Sequence, residues 1–407
     1  MTDHLDRLGG FLRALAEALH ISGMPAHDLE RHLNAIGRRL GVRVDCFAVL
    51  TMITLNIVAD DGSQRVEMIR LPAYDYNMTR LIALEKLSGE LQRLDQLAEC
   101  ARQLQAIMAA PPLWRGWSYV LLGALLSGAV AVLLRGGWRE VAGATLVGLL
   151  FVGAQQWLAR NPRLGPAVPV ILCTLAALGA QALSLAIPGL TVFLTALAGI
   201  VLLLPGFTLT IAMSELATQN LLAGSARLVG ACMLLFMMGA GLAIGSEIGQ
   251  HLLPSGRSAL PLTLADWLIW PAVAAMGVAM LGLLQAPWRA AHVLVGGCLV
   301  AWAAYAGVSA ALGNIVGAFA GALAVATAGH LYHRLSGQPD ILVKIPGLIV
   351  LVPGSMGFRG LHALMEQDSV VGVGLLTEML LTGAVLAVGL LLADNIAPLL
   401  FGRRSKS

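Results

Sequence analysis

The chain has 407 residues, 57% of them hydrophobic and only 12% charged, with a formal net charge of +3. Its mean hydropathy of +0.79 lies beyond that of an ordinary soluble globular chain. So small a net charge, with no basic cluster interleaved with aromatics, excludes a nucleic-acid partner.

Charge is unevenly placed. Residues 1–112 carry most of the acids and much of the base, whereas Trp117 to Phe401 is mostly apolar, so Pro111-Pro112 marks a domain boundary. The stretch up to His20 contains Asp3, Asp6 and Glu17 and no long apolar core, which is not the pattern of a secretory signal. Leu5 to Leu19 and Ala26 to Leu40 have helical periodicity and are separated by Ser22-Gly23-Met24-Pro25. Val42 to Val58 is rich in β-branched residues, Asp60-Asp61-Gly62-Ser63 signals a turn, and Arg65 to Leu71 reads as a second strand. Leu81 to Met108 is a charged amphipathic helix or helix pair leading to the apolar region. A small cytoplasmic α+β domain over 1–112 is therefore expected. His20, His27 and His32 lack a surrounding set of ligand-type residues, so they read as solvated surface histidines rather than a metal centre. No Ser/His/Asp set, phosphate-cradling glycine loop or Walker motif is present, so no cofactor, no enzyme and no ATP-driven transport is expected.

Beyond Trp117, ten apolar runs approach the roughly 20 residues that cross a bilayer. Five occupy the first half: Trp117–Leu134, Val141–Leu158, Pro166–Ile187, Leu190–Met213 and Leu228–Gly249. Five more follow: Leu264–Leu284, Ala291–Leu312, Ile315–Leu331, Ile341–Leu361 and Val370–Ala393. Two membrane repeats, 113–255 and 256–407, are expected. Five is odd, so the second must enter the membrane inverted, as in many secondary carriers. With the N-terminus in the cytoplasm, the cytoplasmic loops hold Arg160, Arg163, Arg227, Arg289, Arg334 and Lys344, and the tail adds Arg403, Arg404 and Lys406. The opposite loops hold Arg135, Arg139, Arg257 and Arg359, so both termini are placed in the cytoplasm by the excess of base.

The fourth run of each half is cut by a Pro-Gly pair, Pro205-Gly206 and Pro353-Gly354, 148 residues apart. Proline removes a donor and clashes with the preceding turn, so the helix must break or kink. In hydrocarbon such breaks persist only where protein or water satisfies the freed groups, and matched interruptions point to a carrier's binding site. If each proline starts a new half-helix, the exposed N–H groups of the first turn suit a carboxylate. Gly206 and Gly354 allow close backbone approach, and Thr208, Thr210 and Ser355 are candidates to hydrogen-bond a ligand or cap the half-helix. The alternative is a pair of kinks that only help packing.

Ionisable residues inside spans are costly and mark substrate or proton paths. Glu378, Glu247 and Asp368 are the proton-coupling candidates, and Glu215, just after the first break, is a candidate to meet a substrate ammonium. The competing reading for Glu247, Glu366 and Asp368 is solvation at the membrane interface. Lys344 is read as snorkelling to the cytoplasmic face. Gly241-Gly245-Gly249 and Gly313-Gly317-Gly321 are small-residue stripes that let helices touch. Trp114, Trp117, Trp267 and Trp270 suit interfacial belts. The five cysteines show no metal spacing and read as unpaired thiols, three of them in apolar runs.

The segment Ala18 to Glu30, containing Ser22-Gly23-Met24-Pro25-Ala26-His27, resembles the N-terminal motif of the threonine/serine exporter family of small hydroxylated-amino-acid efflux proteins. Leu204-Pro205-Gly206-Phe207-Thr208-Leu209-Thr210 through Ala223 to Leu228 resembles its first membrane signature, and Leu351-Val352-Pro353-Gly354-Ser355-Met356-Gly357-Phe358-Arg359-Gly360 its second. The likeness spans nearly the whole chain in the family's order. The chain departs from the family at Thr210-Ile211-Ala212, where an Asn is common at the middle place, and at Glu215, where an Asp is common. It departs again at Ala223-Gly224 and in Asp28-Leu29-Glu30, which lacks the usual Arg. Ile211 thereby removes one candidate hydrogen-bonding amide from the ligand's surroundings.

The expected protein is a helical transmembrane bundle of about ten helices, arranged as a five-plus-five inverted repeat behind a small N-terminal α+β domain. Its expected function is proton-driven export of small polar metabolites across a bacterial inner membrane, with threonine and serine implied by the resemblance. Relatives built of separate large and small chains are linked to dicarboxylate export, which is the alternative substrate class. A passive channel is the alternative outside active transport, and would continue downhill flux after a protonophore has abolished uphill efflux. Protons, a small-molecule substrate and the lipid bilayer are the partners implied, and self-association stays open.

Overall fold

The computed structural model describes residues 2–49, 51–59, 61–71, 76–91, 93–254, 262–352 and 354–401. Its contacts divide the chain into Met1–Leu113 with Leu284–Pro287, and Trp114–Leu283 with Trp288–Ser407.

The first unit orders α1 (Thr2–Ile21), α2 (Ala26–Arg39), β1 (Arg43–Val49), β2 (Met52–Val58), β3 (Gln64–Arg70), α3 (Met78–Glu90) and α4 (Leu97–Ala109). The β-branched run from Val42 to Val58 is two strands, because it folds back so that Val49 pairs with Met52 and Arg43 with Val58. β3 then pairs with β2 from Met52↔Arg70 to Val58↔Gln64, giving an antiparallel sheet in the order β1-β2-β3. Alternation does the sorting: Ile53, Leu55 and Ile57 of β2 are fully buried, while Phe47, Val66 and Met68 are exposed. On α1, Leu8, Phe11, Leu12, Leu15 and Leu19 recur at helical spacing and are buried. Asn77 caps α3, its side chain accepting from Arg80 N at 3.0 Å. The carbonyls of Leu284 and Gln285 accept from Met78 N at 2.8 Å and Thr79 Oγ1 at 2.6 Å. His20 is buried, 3% exposed, and His32 Nε2 lies 2.7 Å from Ser88 Oγ, so the expectation of solvated histidines is corrected for both. Packing against neighbouring elements, which periodicity at a single histidine does not reveal, buries His20 and half-buries His32. The side chain of His27 lies outside the described residues.

The second unit is helical: α5 (Trp117–Leu133), α6 (Trp138–Leu158), α7 (Val168–Ala186), α8 (Val192–Gly199), α9 (Gly206–Ala217), α10 (Leu221–Leu252), α11 (Ile269–Leu283), α12 (Ala291–Leu312), α13 (Asn314–Ser336), α14 (Ile341–Leu351), α15 (Gly354–Met365) and α16 (Ser369–Phe401). Among the described residues eight helical stretches are long and apolar enough to cross a membrane. The pair α8 and α9, bent by 52° at its break, makes nine, and α5 is a shorter apolar helix of 17 residues. Large apolar side chains such as Val229, Met233 and Phe236 on α10 face outward, as lipid-facing surfaces do. The protein is a multi-pass helical membrane protein with a small N-terminal region carrying the sheet.

Packing repeats between the halves. α5 packs on α6, α6 on α7 and α8, α7 on α8 and α10, and α9 on α10. α11 packs on α12, α12 on α13 and α14, α13 on α14 and α16, and α15 on α16. The halves meet through α5 with α11, α9 with α16, α10 with α15, and α9 with α15. The glycine stripe of α10 works as a contact line. A Cβ added at Gly245 would stand 2.6 Å from Thr174 O and 2.7 Å from Ala177 Cβ, and one at Gly249 3.2 Å from Gln181 Cγ. Gly317 does the same on α13, where a Cβ would stand 2.6 Å from Ser309 Cβ.

Two basic residues assigned to loops by the charge count stand inside helices, one buried and one half-buried. Arg227 sits on α10 with its side chain 5% exposed, and Lys344 on α14 with 15% exposed. Each has carboxylate partners, which offsets the cost of holding a cation among apolar helices. Arg257, Arg403, Arg404 and Lys406 lie outside the described residues.

Candidate functional site

The first break is built from a short 3-10 turn. α8 ends at Gly199, Val201–Leu203 forms one 3-10 turn, Leu204 is extended, and Pro205 stands as the N-cap of α9. The second is shorter: α14 ends at Leu351, Val352 is extended, and α15 begins at Gly354. Pro353 lies outside the described residues.

The two breaks meet. A Cβ added at Gly206 would stand 2.9 Å from Gly354 N and 3.0 Å from its Cα, besides overlapping Val352 Cγ1. One added at Gly354 would stand 3.1 Å from Gly206 Cα. Only residues without side chains let two backbones come so close. The half-helices then diverge. α9 runs antiparallel to α10, since Gly224 lies against Leu216 and Ala212 across the short turn. α15 runs parallel to α10, since Leu235 lies against Gly357 and Gly239 against Leu361. α9 and α15 thus start at one place and leave in opposite directions, with both first turns, the donor-rich ends, at the junction.

The hydroxyls of Thr208 and Ser355, half-buried in those first turns, make no hydrogen bond within the described residues. Thr210 is fully buried and donates to Gly206 O at 3.3 Å, so its hydroxyl is used inside the helix. Glu215, one turn before the end of α9, is 2% exposed and accepts from Arg227 Nε at 3.0 Å and Nη2 at 2.9 Å. This two-pronged pair ties α9 to α10, and both oxygens of Glu215 already hold the guanidinium.

Of the proton-coupling candidates, Glu378 sits half-buried on α16. Asp368 is exposed and caps α16, its Oδ1 accepting from Val371 N at 3.1 Å. Glu247 is exposed on α10 and lines a cavity of about 650 Å³ between α7, α8, α10 and α15. Gln181, Ser246, His362 and Glu366 also line it, and His362 Nε2 lies 3.2 Å from Glu366 Oε1. Phe193 stacks on the His362 ring with centroids 4.0 Å apart and planes at 12°. The cavity wall therefore combines two carboxylates, an imidazole and an aromatic face.

Three features escaped the sequence. Glu140, 1% exposed, accepts from Gly137 N at 2.8 Å and Thr191 N at 3.0 Å, so one carboxylate holds the starts of both α6 and α8. Its position three residues after Gly137 is the local signal of a capping box. His362 and Phe193 come together only in three dimensions. The cluster of His330, Asp340, Lys344 and Asp394 at the ends of α13, α14 and α16 had one visible member, Lys344. Among the described residues no group of His, Cys, Asp and Glu could hold a metal.

A family model described as "Putative threonine/serine exporter" matches residues 11–249, and one described as "Threonine/Serine exporter, ThrE" matches 268–396. A threonine/serine exporter of Corynebacterium glutamicum is 26% identical over 98% of this chain and 84% of its own length. Pheromone-regulated membrane protein 10 of Debaryomyces hansenii is 24% identical over 85% of this chain, and that of Eremothecium gossypii 21% over 89%. The chain spans only 36% and 50% of those two yeast proteins. No solved structure matches. With the larger of the two models spanning more than half its length, the chain belongs to the threonine/serine exporter family of small-molecule exporters.

Proposed function

We propose that the protein is a secondary active exporter of small polar amino acids, threonine and serine first, driven by the proton motive force, and that it binds the substrate carboxylate where α9 and α15 begin. The contact of Gly206 with Gly354 carries this reading. Each helix N-terminus bears about half a positive charge. Two such ends about 4 Å apart repel by about 1 kcal/mol at an effective dielectric of about 20. An anion beside the junction, within reach of both first turns, offsets that repulsion, and the hydroxyls of Thr208 and Ser355 stand in the same first turns. The mouth lined by Glu247 and Glu366 favours a ligand that also carries an ammonium group. Two carboxylates there oppose a dicarboxylate, which makes the amino acid the stronger reading. The name of the Corynebacterium relative agrees with it.

The membrane unit is read as a five-plus-five inverted repeat. Support comes from the matched packing of α5–α10 and α11–α16 and from the opposite directions of α9 and α15. Residues 1–112 are read as the cytoplasmic domain and 113–255 and 256–407 as the repeats. Both termini are placed in the cytoplasm of a bacterial inner membrane, a reading supported by Arg160, Arg163, Arg289 and Arg334 on that side. Proton coupling is assigned to Glu378 first, because it alone of the three candidates is half-buried within a span and does not cap a helix.

The test is counterflow in proteoliposomes loaded with threonine, serine, alanine, succinate or malate, with and without a protonophore. Accumulation of labelled threonine against its gradient, lost on adding the protonophore, supports the reading. Flux of succinate in preference to threonine, or downhill flux alone, refutes it.

A further inference from the structure

We propose that His330, Asp340, Lys344 and Asp394 form the closed gate of the carrier, at the positions of the second half that correspond to cavity-lining positions of the first. The proposal rests on the carrier reading and adds a second, unassigned element to it.

The cluster is compact. Lys344 Nζ lies 2.6 Å from Asp340 Oδ2 and 2.9 Å from Asp394 Oδ1. His330 Nε2 lies 2.8 Å from the same oxygen of Asp394, and its Nδ1 3.5 Å from Asp340 Oδ2. The four groups come from the C-terminal part of α13, the N-terminal end of α14 and the C-terminal part of α16. A Cβ at Gly329 would stand 2.9 Å from Lys344 Cγ, so the glycine leaves the lysine stem its room.

The place is not arbitrary. A spacing of 148 residues separates Gly206 from Gly354, Ala217 from Met365 and Leu221 from Ser369, the matching helix ends of the two halves. The same spacing carries Val192, Ala196 and Ser246 onto Asp340, Lys344 and Asp394. Val192, Ala196 and Ser246 all line the cavity of about 650 Å³. His330 falls on Ala182, beside the lining residue Gln181. Where one half offers valine, alanine, serine and open space, the other places four interlocked polar groups.

The two places lie at opposite ends of the unit. α16 runs antiparallel to α15, since Gly372 lies against Leu364 and Gly360 against Leu375, and α15 runs parallel to α10. The C-terminal part of α10, which borders the cavity, and that of α16, which holds Asp394, therefore point in opposite directions. A carrier open at one end must be shut at the other, or it leaks. Asp340 and Asp394 are 31% and 44% exposed, so they regain water readily when the cluster parts, and the latch is able to open. Parting of the cluster and collapse of the cavity are then two sides of one transition.

The test reads the cavity while changing the cluster. In a background with Cys46, Cys100, Cys173, Cys232 and Cys298 replaced, Ser246→Cys is introduced and the protein is placed in lipid nanodiscs, which leave both faces accessible. The rate of alkylation by a charged maleimide is measured. Adding Lys344→Gln shifts the population away from the cavity-open state and slows labelling about fivefold or more; Lys344→Arg restores it to within about twofold. Should Lys344→Gln fail to accumulate, Asp394→Asn, at a partly exposed position, reads the same rate. Monodisperse Lys344→Gln or Asp394→Asn protein that labels at the parental rate overturns the gate, because a merely structural ion cluster loses protein without moving that rate. Uphill threonine export by the parent is scored separately. A labelling response without any export keeps the gate and sinks the exporter reading.

Discussion

Replacing Gly206 with alanine adds a single methyl group, yet the structure gives it a large effect. The new Cβ would stand 2.9 Å from Gly354 N and 3.0 Å from its Cα, against the 3.4–4 Å of ordinary contact, and would overlap Val352 Cγ1. The valine can rotate, but the backbone of α15 cannot, so α9 and α15 must separate by about half an ångström. Overpacking of this kind costs about 1–3 kcal/mol, which is about 5- to 150-fold in the population of the state holding the contact. Gly206→Ala is expected to lower threonine export in that range while the protein stays in the membrane. Gly206→Val is expected to abolish it. Gly230→Ala on α10 and Gly374→Ala on α16 are the controls, because a Cβ at either meets nothing within 4 Å and alanine is the better helix former. Export is measured in vesicles, with membrane abundance by immunoblot and dispersity by size exclusion. If Gly206→Ala exports like Gly230→Ala at equal abundance, the junction is not a site of close approach during transport, and the carboxylate position assigned to it falls.

Arg227→Ala is expected to destabilise by about 3–5 kcal/mol, since it leaves the Glu215 carboxylate buried without its guanidinium. The double variant Glu215→Ala/Arg227→Ala should recover much of that loss, read as membrane abundance and thermal midpoint in detergent; additive losses would contradict the pairing. Glu378→Gln is expected to flatten the pH dependence of export, and an unaltered profile removes that carboxylate from coupling. Burial, with a smaller contribution from Glu30, raises the Cys46 thiol to about 12. At pH 8 its thiolate fraction is then about 10³-fold below that of an ordinary thiol. Cys46 should therefore react with maleimide correspondingly slowly, and rapid modification of the folded protein would show the strand β1 environment to be wrong.

The helical membrane body was legible because a bilayer-length apolar run is a long, redundant signal, and each break because proline cannot continue a helix whatever surrounds it. The sheet was half legible: β-branched residues from Val42 to Val58 announced strand, but nothing between Val49 and Met52 has the asparagine-glycine chemistry of a tight hairpin. The charged residues were misread for a different reason. Arg227 and Lys344 stand near the ends of apolar runs, where a charge normally belongs to a loop; the Arg227 partner is 12 residues away, and Lys344 joins Asp340, one turn before it, to Asp394, 50 residues on. Pairing at that separation is decided by which helices pack together. The cavity beside Phe193 and His362 was invisible likewise, since it is space left between four helices. One usable signal was present: laid over each other at 148 residues, the halves set Lys344 and Asp394 against Ala196 and Ser246.

That mismatch bears on how a body built, as proposed, of two matched halves would acquire direction. Matched features, the breaks at Gly206 and Gly354 and the glycine contacts of α10 and α16, serve both halves alike and build the shared junction. A junction made only of matched parts would respond equally to both faces of the membrane. Direction has to come from residues that one half has and the other lacks. Unmatched charges stand at both ends, Glu247, His362 and Glu366 around the cavity and His330, Asp340, Lys344 and Asp394 across from it, besides those inside the body such as Glu378 and the Glu215–Arg227 pair. On the proposed reading the acidic mouth would draw an ammonium toward the junction or release it from there, while the interlocked cluster would first have to be broken for access from the other end. Moving the lock should therefore reverse which end is closed: Ala182→His, Val192→Asp, Ala196→Lys and Ser246→Asp, combined with His330→Ala, Asp340→Val, Lys344→Ala and Asp394→Ser, exchanges the two sets. In nanodiscs the expected outcome is protection of a thiol placed on the cavity wall at Ala243→Cys and exposure of one placed at its equivalent, Leu391→Cys. Unchanged reactivity of both thiols in folded protein would mean that closure is set by the helix packing itself and not by these charges.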